Sequence, residues 1–226
     1  MSRRYAVIAL IAAGLCVGML GMDAPAGAAP TPLFGVPLFA PRVAPPSLVF
    51  VYRGWSVRAG AAARTQRPDK TVRAIKAQID IVEQLHLKPQ VLNAWRALPI
   101  YADPSIGREV GRYTVDHTIL LRVKRLDAKR PSLLHALLLA YQDHSLPAGF
   151  ANPDIARFRA QIADRHVWPK TAVMLDNNGE FFAETASAYL CGEITREPYT
   201  RADLKKTQPD YYQWLANLFD DGRPRG

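Results

Sequence analysis

Residues 130–145 read Arg130-Pro131-Ser132-Leu133-Leu134-His135-Ala136-Leu137-Leu138-Leu139-Ala140-Tyr141-Gln142-Asp143-His144-Ser145. Pro131 and Ser132 open a helix, because proline is tolerated in a first helical turn. From Leu133 to Tyr141 apolar residues surround the helix axis on nearly every side. A helix of that kind has no solvent face and lies in the middle of a domain. The flanking sequence must therefore supply the elements that enclose it.

On the C-terminal side come a Gly/Pro-punctuated loop from Pro147 to Pro153 and a helix from about Asp154 to Asp164. Another helix runs from about Asn178 to Leu190, closed by Gly192, and a final helical stretch from Arg201 to Phe219 is interrupted near Pro209. On the N-terminal side, Val72, Ile75, Ile79 and Val82 share one face of an amphipathic helix ending near Leu85. A short helix follows from Pro89 to Ala97. Ile100 and Tyr101, Val110 to Tyr113 and Thr118 to Val123 read as strands, the last two joined by a turn at Thr114 to His117. Mainly helical segments behind a small sheet make an α+β domain, expected over residues 69–222.

Before it, residues 29–68 are rich in Pro, Ala and Arg. Pro30, Pro32, Pro37, Pro41, Pro45 and Pro46 prevent helix, so this is an extended arm or linker, with one short strand at Leu48 to Tyr52. Residues 1–28 read as a signal peptide: Arg3 and Arg4 precede an apolar run from Tyr5 to Met22, and Ala26-Gly27-Ala28 is a small-x-small cleavage site. Left uncleaved, the run just reaches the length of a membrane span, weakened by Gly14, Gly18 and Gly21, and would anchor the protein. Ser2-Arg3-Arg4 hints at twin-arginine export, but Ala6 stands where that signal prefers a large apolar residue. The expected location is periplasmic or extracellular.

The 226 residues, 49% of them hydrophobic and only two of them Cys, exclude a disordered chain and a disulfide-stapled miniprotein. Cleavage takes Arg3, Arg4 and Asp23 from 29 basic and 20 acidic residues and leaves a net charge of +8. It also leaves Cys191 as the single cysteine, expected to be a small buried apolar residue. A basic exported protein suits anionic envelope polymers, membrane surfaces or acidic partners. The basic run Arg122, Lys124, Arg125, Lys129 and Arg130 lacks the interleaved aromatics of a single-strand groove and reads as a solvated face, and export makes nucleic acid the least favoured partner.

Several blocks taken in order carry a resemblance. They are Arg130 to His135, Ala140-Tyr141, Gly149 to Ile155, Glu180-Phe181-Phe182-Ala183-Glu184-Thr185-Ala186-Ser187 and Gln208 to Tyr212. Together they resemble bacterial zincin-type metallopeptidases related to the catalytic domain of anthrax lethal factor, over roughly Asp69 to Asp220. The resemblance implies a zincin-like fold whose buried helix carries H-E-x-x-H. Two histidines four residues apart bind one zinc ion and the Glu between them polarises the metal-bound water. Here His135 matches the first ligand and Glu180 the third. Ala136 stands at the general base and Leu139 at the second histidine, and a tyrosine of the family corresponds to Val173.

A catalytic zinc site needs three protein ligands and a water, and these positions supply two, so no cofactor is expected. The absent base removes a further 10²- to 10⁴-fold, roughly, in rate. Glu184, one helical turn beyond Glu180, reads as a supporting acid or a replacement ligand. His144, nine residues after His135, points about 180° away on a continuous helix and could help only if the helix ended early. His117 and His166 read as surface or turn residues. The expected function is that of a non-catalytic relative which binds a peptide or an anionic envelope component. The rival is a metallohydrolase whose zinc shell is rebuilt from His135, Glu180 and either His144 or Glu184.

Overall fold

A computed structural model describes residues 48–60, 68–102, 110–114, 116–122 and 130–223. Residues 1–28, most of the arm, and Lys124, Arg125 and Lys129 of the basic run lie outside them. Among the described residues no helix is long and apolar enough to cross a membrane. The domain is α+β and mainly helical, with one five-stranded sheet.

The strands are β1 (Val49–Tyr52), β2 (Trp55–Arg58), β3 (Ile100–Ala102), β4 (Val110–Tyr113) and β5 (Ile119–Arg122), in the spatial order β1-β2-β3-β5-β4. β1 and β2 form an antiparallel hairpin. β2, β3 and β5 run parallel, and β4 returns antiparallel along β5 as an edge strand. The parallel step from β2 to β3 needs a long crossover, supplied by α1 (Pro68–Glu83) and α2 (Pro89–Arg96). Strand alternation sends Trp55 and Val57, Ile100 and Ala102, and Ile119 and Leu121 to one buried face.

β2 was not expected from the sequence, which placed one strand at residues 48–52 and the core beyond Asp69. Arg53 and Gly54, both at positive φ (50° and 84°), turn the chain back in two residues, the conformation of a type I′ hairpin. The sheet and its core therefore reach into the stretch read as an arm. Trp55 is fully buried, and its indole N–H donates to Glu83 at 2.6 Å. Glu83 also takes two hydrogen bonds from Arg96, so one carboxylate ties β2 to both crossover helices.

Behind the sheet lies α3 (Ser132–Ser145), packed against β4, β5, α1 and α5 (Asn178–Cys191). Both central helices are buried nearly all round, as the apolar run predicted for α3. α4 (Pro153–Asp164), α6 (Arg201–Thr207) and α7 (Pro209–Phe219) complete the shell, with the break at Gln208-Pro209 where the sequence placed it. On α7, Tyr211, Leu215 and Phe219 recur every four residues and face the core. Cys191, at the end of α5, is half-buried rather than enclosed.

The buried polar residue Gln78 of α1 has a structural task. Pro131 caps α3 without a side-chain bond, so the first amides of the helix need acceptors. Gln78 supplies one: its Oε1 accepts from Leu133 N–H at 3.1 Å while its Nε2 donates to the Arg130 carbonyl at 3.2 Å. Gln78→Leu orphans that buried amide and is expected to cost about 1–3 kcal/mol, measured by urea unfolding.

Candidate functional site

The first turns of α3 and α5 and the strand β4 enclose a cleft of about 720 Å³. Its walls come from regular spacings. Ser132, His135 and Leu139 lie on one face of α3, and Glu180, Glu184 and Ser187 on one face of α5. Gly111 and Arg112 of β4 close one side, and Arg196, from the loop after α5, another.

β4 approaches α3 so closely that only glycine fits at 111. A Cβ there would stand 1.7 Å from the Ser132 carbonyl oxygen and 3.1 Å from the Ala136 Cβ. Ala136 itself is fully buried beneath this contact. Asn177 caps α5, its side-chain oxygen accepting from Glu180 N–H at 2.9 Å, which fixes the turn that carries Glu180. Gly192, at φ 86°, ends the helix so that the chain can fold back toward Arg196 and α6.

His135 stands between two carboxylates. Its Nε2 lies 3.5 Å from Glu180 Oε2, and its Nδ1 lies 3.8 Å from Glu184 Oε1. Glu184, whose side chain is only 8% exposed, also accepts from Arg196 Nη1 at 2.7 Å. The result is a row of facing polar groups, Arg196–Glu184–His135–Glu180, in which the Arg196 guanidinium answers the Glu184 carboxylate. A buried carboxylate is tolerated only when so paired. The hydrogen bond from His135 holds the Glu180 carboxyl below the ordinary carboxylate value, against the opposing effect of burial, with smaller help from the charges of His135 and Arg196.

That shift has a consequence for stability. A carboxylate held low in the folded state stabilises fully above its unfolded value, near 4.5, and the contribution is lost as pH falls through the lowered folded value. Wild type is therefore expected to lose stability more steeply than Glu180→Gln below about pH 5. Urea midpoints for the two proteins from neutral pH downward check this.

The ligand atoms of His135, Glu180 and Glu184 can all be chosen within 4.8 Å of one another, so the cluster is of a kind that can hold a cation. It does not reproduce the three-ligand zinc set of H-E-x-x-H. The two carboxylates address opposite nitrogens of one imidazole, and a single ion can take only one of them. Glu184 Oε1, the oxygen nearest Nδ1, is already held by Arg196. Where a second imidazole would stand, Leu139 lines the cleft and reaches toward Gly179. Val173 lines it too and offers no hydroxyl.

The helical spacing puts Glu184 on the same face of α5 as Glu180, and both line the cleft; His144 does not join them. α3 continues to Ser145 without turning back, and His144 meets His117 and Asp143 at the far end of the helix. His117 and His166 sit at positive φ (61° and 51°), exposed, in turns. Three contributors escaped sequence reasoning. Ser187, two turns beyond Glu180, has a buried Oγ with no hydrogen-bond partner, and its spacing from Glu180 and Glu184 was the available signal. Arg112 and Arg196 lie on other elements, and no local spacing announces them. No family model, no curated protein and no solved structure matches the chain.

Proposed function

We propose that this protein is an exported, non-catalytic relative of a zinc metallopeptidase of the zincin type, the lethal factor-like group named above, whose cleft persists as a peptide-binding site. The observation that carries this reading is the state of the α3 face. Ala136, at the position of the general base, is sealed in the core under Gly111, and Leu139, at the position of the second histidine, is part of an apolar wall. His135 and Glu180, which would otherwise serve a metal, are satisfied by each other, by Glu184 and by Arg196.

A pocket of this size, walled by two rigid helices and an edge strand, suits an extended peptide segment. Arg112, Arg130 and Arg196 stand in its lining with Asp176, Glu180 and Glu184, a balanced set that offers a peptide counter-charges of both signs. The test is to incubate the zinc-supplemented protein with a pool of labelled peptides of varied charge and follow both anisotropy and cleavage. The expected result is saturable binding, weakened by Arg112→Glu, with every peptide intact. Binding only to an anionic envelope polymer would replace the peptide as ligand.

The proximity of the His135, Glu180 and Glu184 donor atoms favours a second reading, a working metallohydrolase with a rearranged shell. It requires peptide cleavage that a chelator abolishes and that His135→Ala removes together with the metal.

A further inference from the structure

We propose that the opposite end of α3 carries a surface metal site, built from His117, Asp143 and His144 and specific for a borderline divalent transition-metal ion such as Cu²⁺, Zn²⁺ or Ni²⁺. It is independent of the function proposed for the cleft. His135 and His144 are nine residues apart on α3, about 13 Å along the axis at 1.5 Å per residue.

The donors come from two separate pieces of chain. His117 lies in the turn between β4 and β5, at φ 61°, and Asp143 and His144 lie in the last turn of α3. His117 Nδ1 is 3.6 Å and His144 Nε2 3.9 Å from the same oxygen, Asp143 Oδ2, and the two imidazole rings are 4.4 Å apart. All three ligand atoms lie within 4.8 Å of one another. Ligands around one ion at 2.0–2.2 Å stand roughly 3–4 Å apart, so small rotations close the set.

The hydroxyl of Tyr113, the last residue of β4, marks the focus. It lies 2.5 Å from His117 Nδ1, 2.6 Å from His144 Nε2 and 2.7 Å from Asp143 Oδ2. A phenol has one hydrogen to give, and the carboxylate can only accept it, so both imidazoles must aim N–H groups at the same oxygen. A cation at that focus is met by lone pairs from all three groups instead. Tyr113 is thus the stand-in for the ion, and it retracts or becomes a fourth ligand when the ion binds.

The donor set fixes the class of ion. Two imidazoles and one carboxylate suit copper, zinc and nickel, in the affinity order Cu²⁺ above Zn²⁺, and disfavour Mg²⁺ and Ca²⁺, which seek oxygen. His117 and His144 keep about half of their side-chain surface exposed, 57% and 45%, so an ion there would retain open positions for water or an outside ligand.

The probe is the metal alone, titrated into the protein purified without a histidine tag and read by calorimetry and by Cu²⁺ paramagnetic resonance. One Cu²⁺ or Zn²⁺ per chain is expected at this site, with Cu²⁺ spectra showing coupling to two nitrogens. His117→Asn, which tolerates positive φ and so preserves the turn, is expected to weaken binding at least tenfold, as is His144→Gln. His135→Ala and Glu180→Gln are expected to leave this affinity within twofold, and millimolar Mg²⁺ is expected not to compete. Binding that survives His117→Asn combined with His144→Gln, or an absence of Cu²⁺ binding below about 100 μM, would overturn the proposal. So would loss of the metal on His135→Ala with retention in His117→Asn, which would instead assign the ion to the cleft.

Discussion

Replacing Leu139 with histidine is expected to raise zinc affinity at the cleft by about 10²-fold or more. Structural zinc sites bind with roughly 10–16 kcal/mol from four ligands, so one added imidazole is worth about 3 kcal/mol. The geometry permits the gain. Leu139 lines the cleft one helical turn beyond His135, near the N-terminus of α5 that carries Glu180. Histidine is close to leucine in size and position 139 already faces the cleft, so Glu184 can keep its Arg196 partner. On the proposed reading, hydrolysis is not expected with the metal, because Ala136 stands where that reading puts the base, a deficit of roughly 10²- to 10⁴-fold. Competition against a chromophoric chelator, in a background carrying His117→Asn and His144→Gln, reads the affinity at the cleft alone. An unchanged affinity would show that position 139 does not face the His135–Glu180 pair as a ligand should.

The largest stability loss is expected at Phe182. This residue of α5 is fully buried, and its ring lies 6.3 Å from Tyr141 in a stacked arrangement, 6.1 Å from Trp214 edge-on and 6.2 Å from Phe219. It therefore joins α5 to α3 and α7 at one point. Phe182→Ala removes those contacts and leaves a cavity that rigid helices close only in part. The expected cost is about 3–5 kcal/mol. For a domain of this size that lowers the melting temperature by about 6–20 °C. Calorimetry on the variant checks it. A loss below about 1 kcal/mol would mean that the three helices do not share this aromatic core.

The helices were legible in the sequence because each carries its own periodicity. Residues 133–141 announce burial by having no polar face, and Val72, Ile75, Ile79 and Val82 announce a surface helix by having one. The Gln208-Pro209 break and the Gly192 cap were equally local signals. β2 is hidden in the sequence, although Trp55-Ser56-Val57-Arg58 alternates cleanly between core and solvent. A Pro-rich neighbourhood masked a two-residue turn at Arg53-Gly54 that uses no asparagine or aspartate.

The site divides the same way. Glu184 followed from its spacing to Glu180 on one helix, and His135 with Glu180 from the motif blocks. Arg196 pairs with Glu184 only because Gly192 turns the chain, a tertiary event with no local mark. His144 shares α3 with His135, nine residues on. Its actual neighbour is His117, 27 residues earlier, brought near by the packing of the β4–β5 turn on the end of that helix. Sequence spacing reports faces of single elements, and both clusters depend on two elements meeting.

The most direct test of the central claim is the zinc content of the cleft. The protein carrying His117→Asn and His144→Gln, which silences the surface cluster, is loaded with zinc, dialysed and measured by elemental analysis, then assayed on the peptide pool. The expected result is a folded protein with no retained zinc and intact peptides. About one zinc per chain, lost on adding His135→Ala and accompanied by chelator-sensitive cleavage, would contradict it.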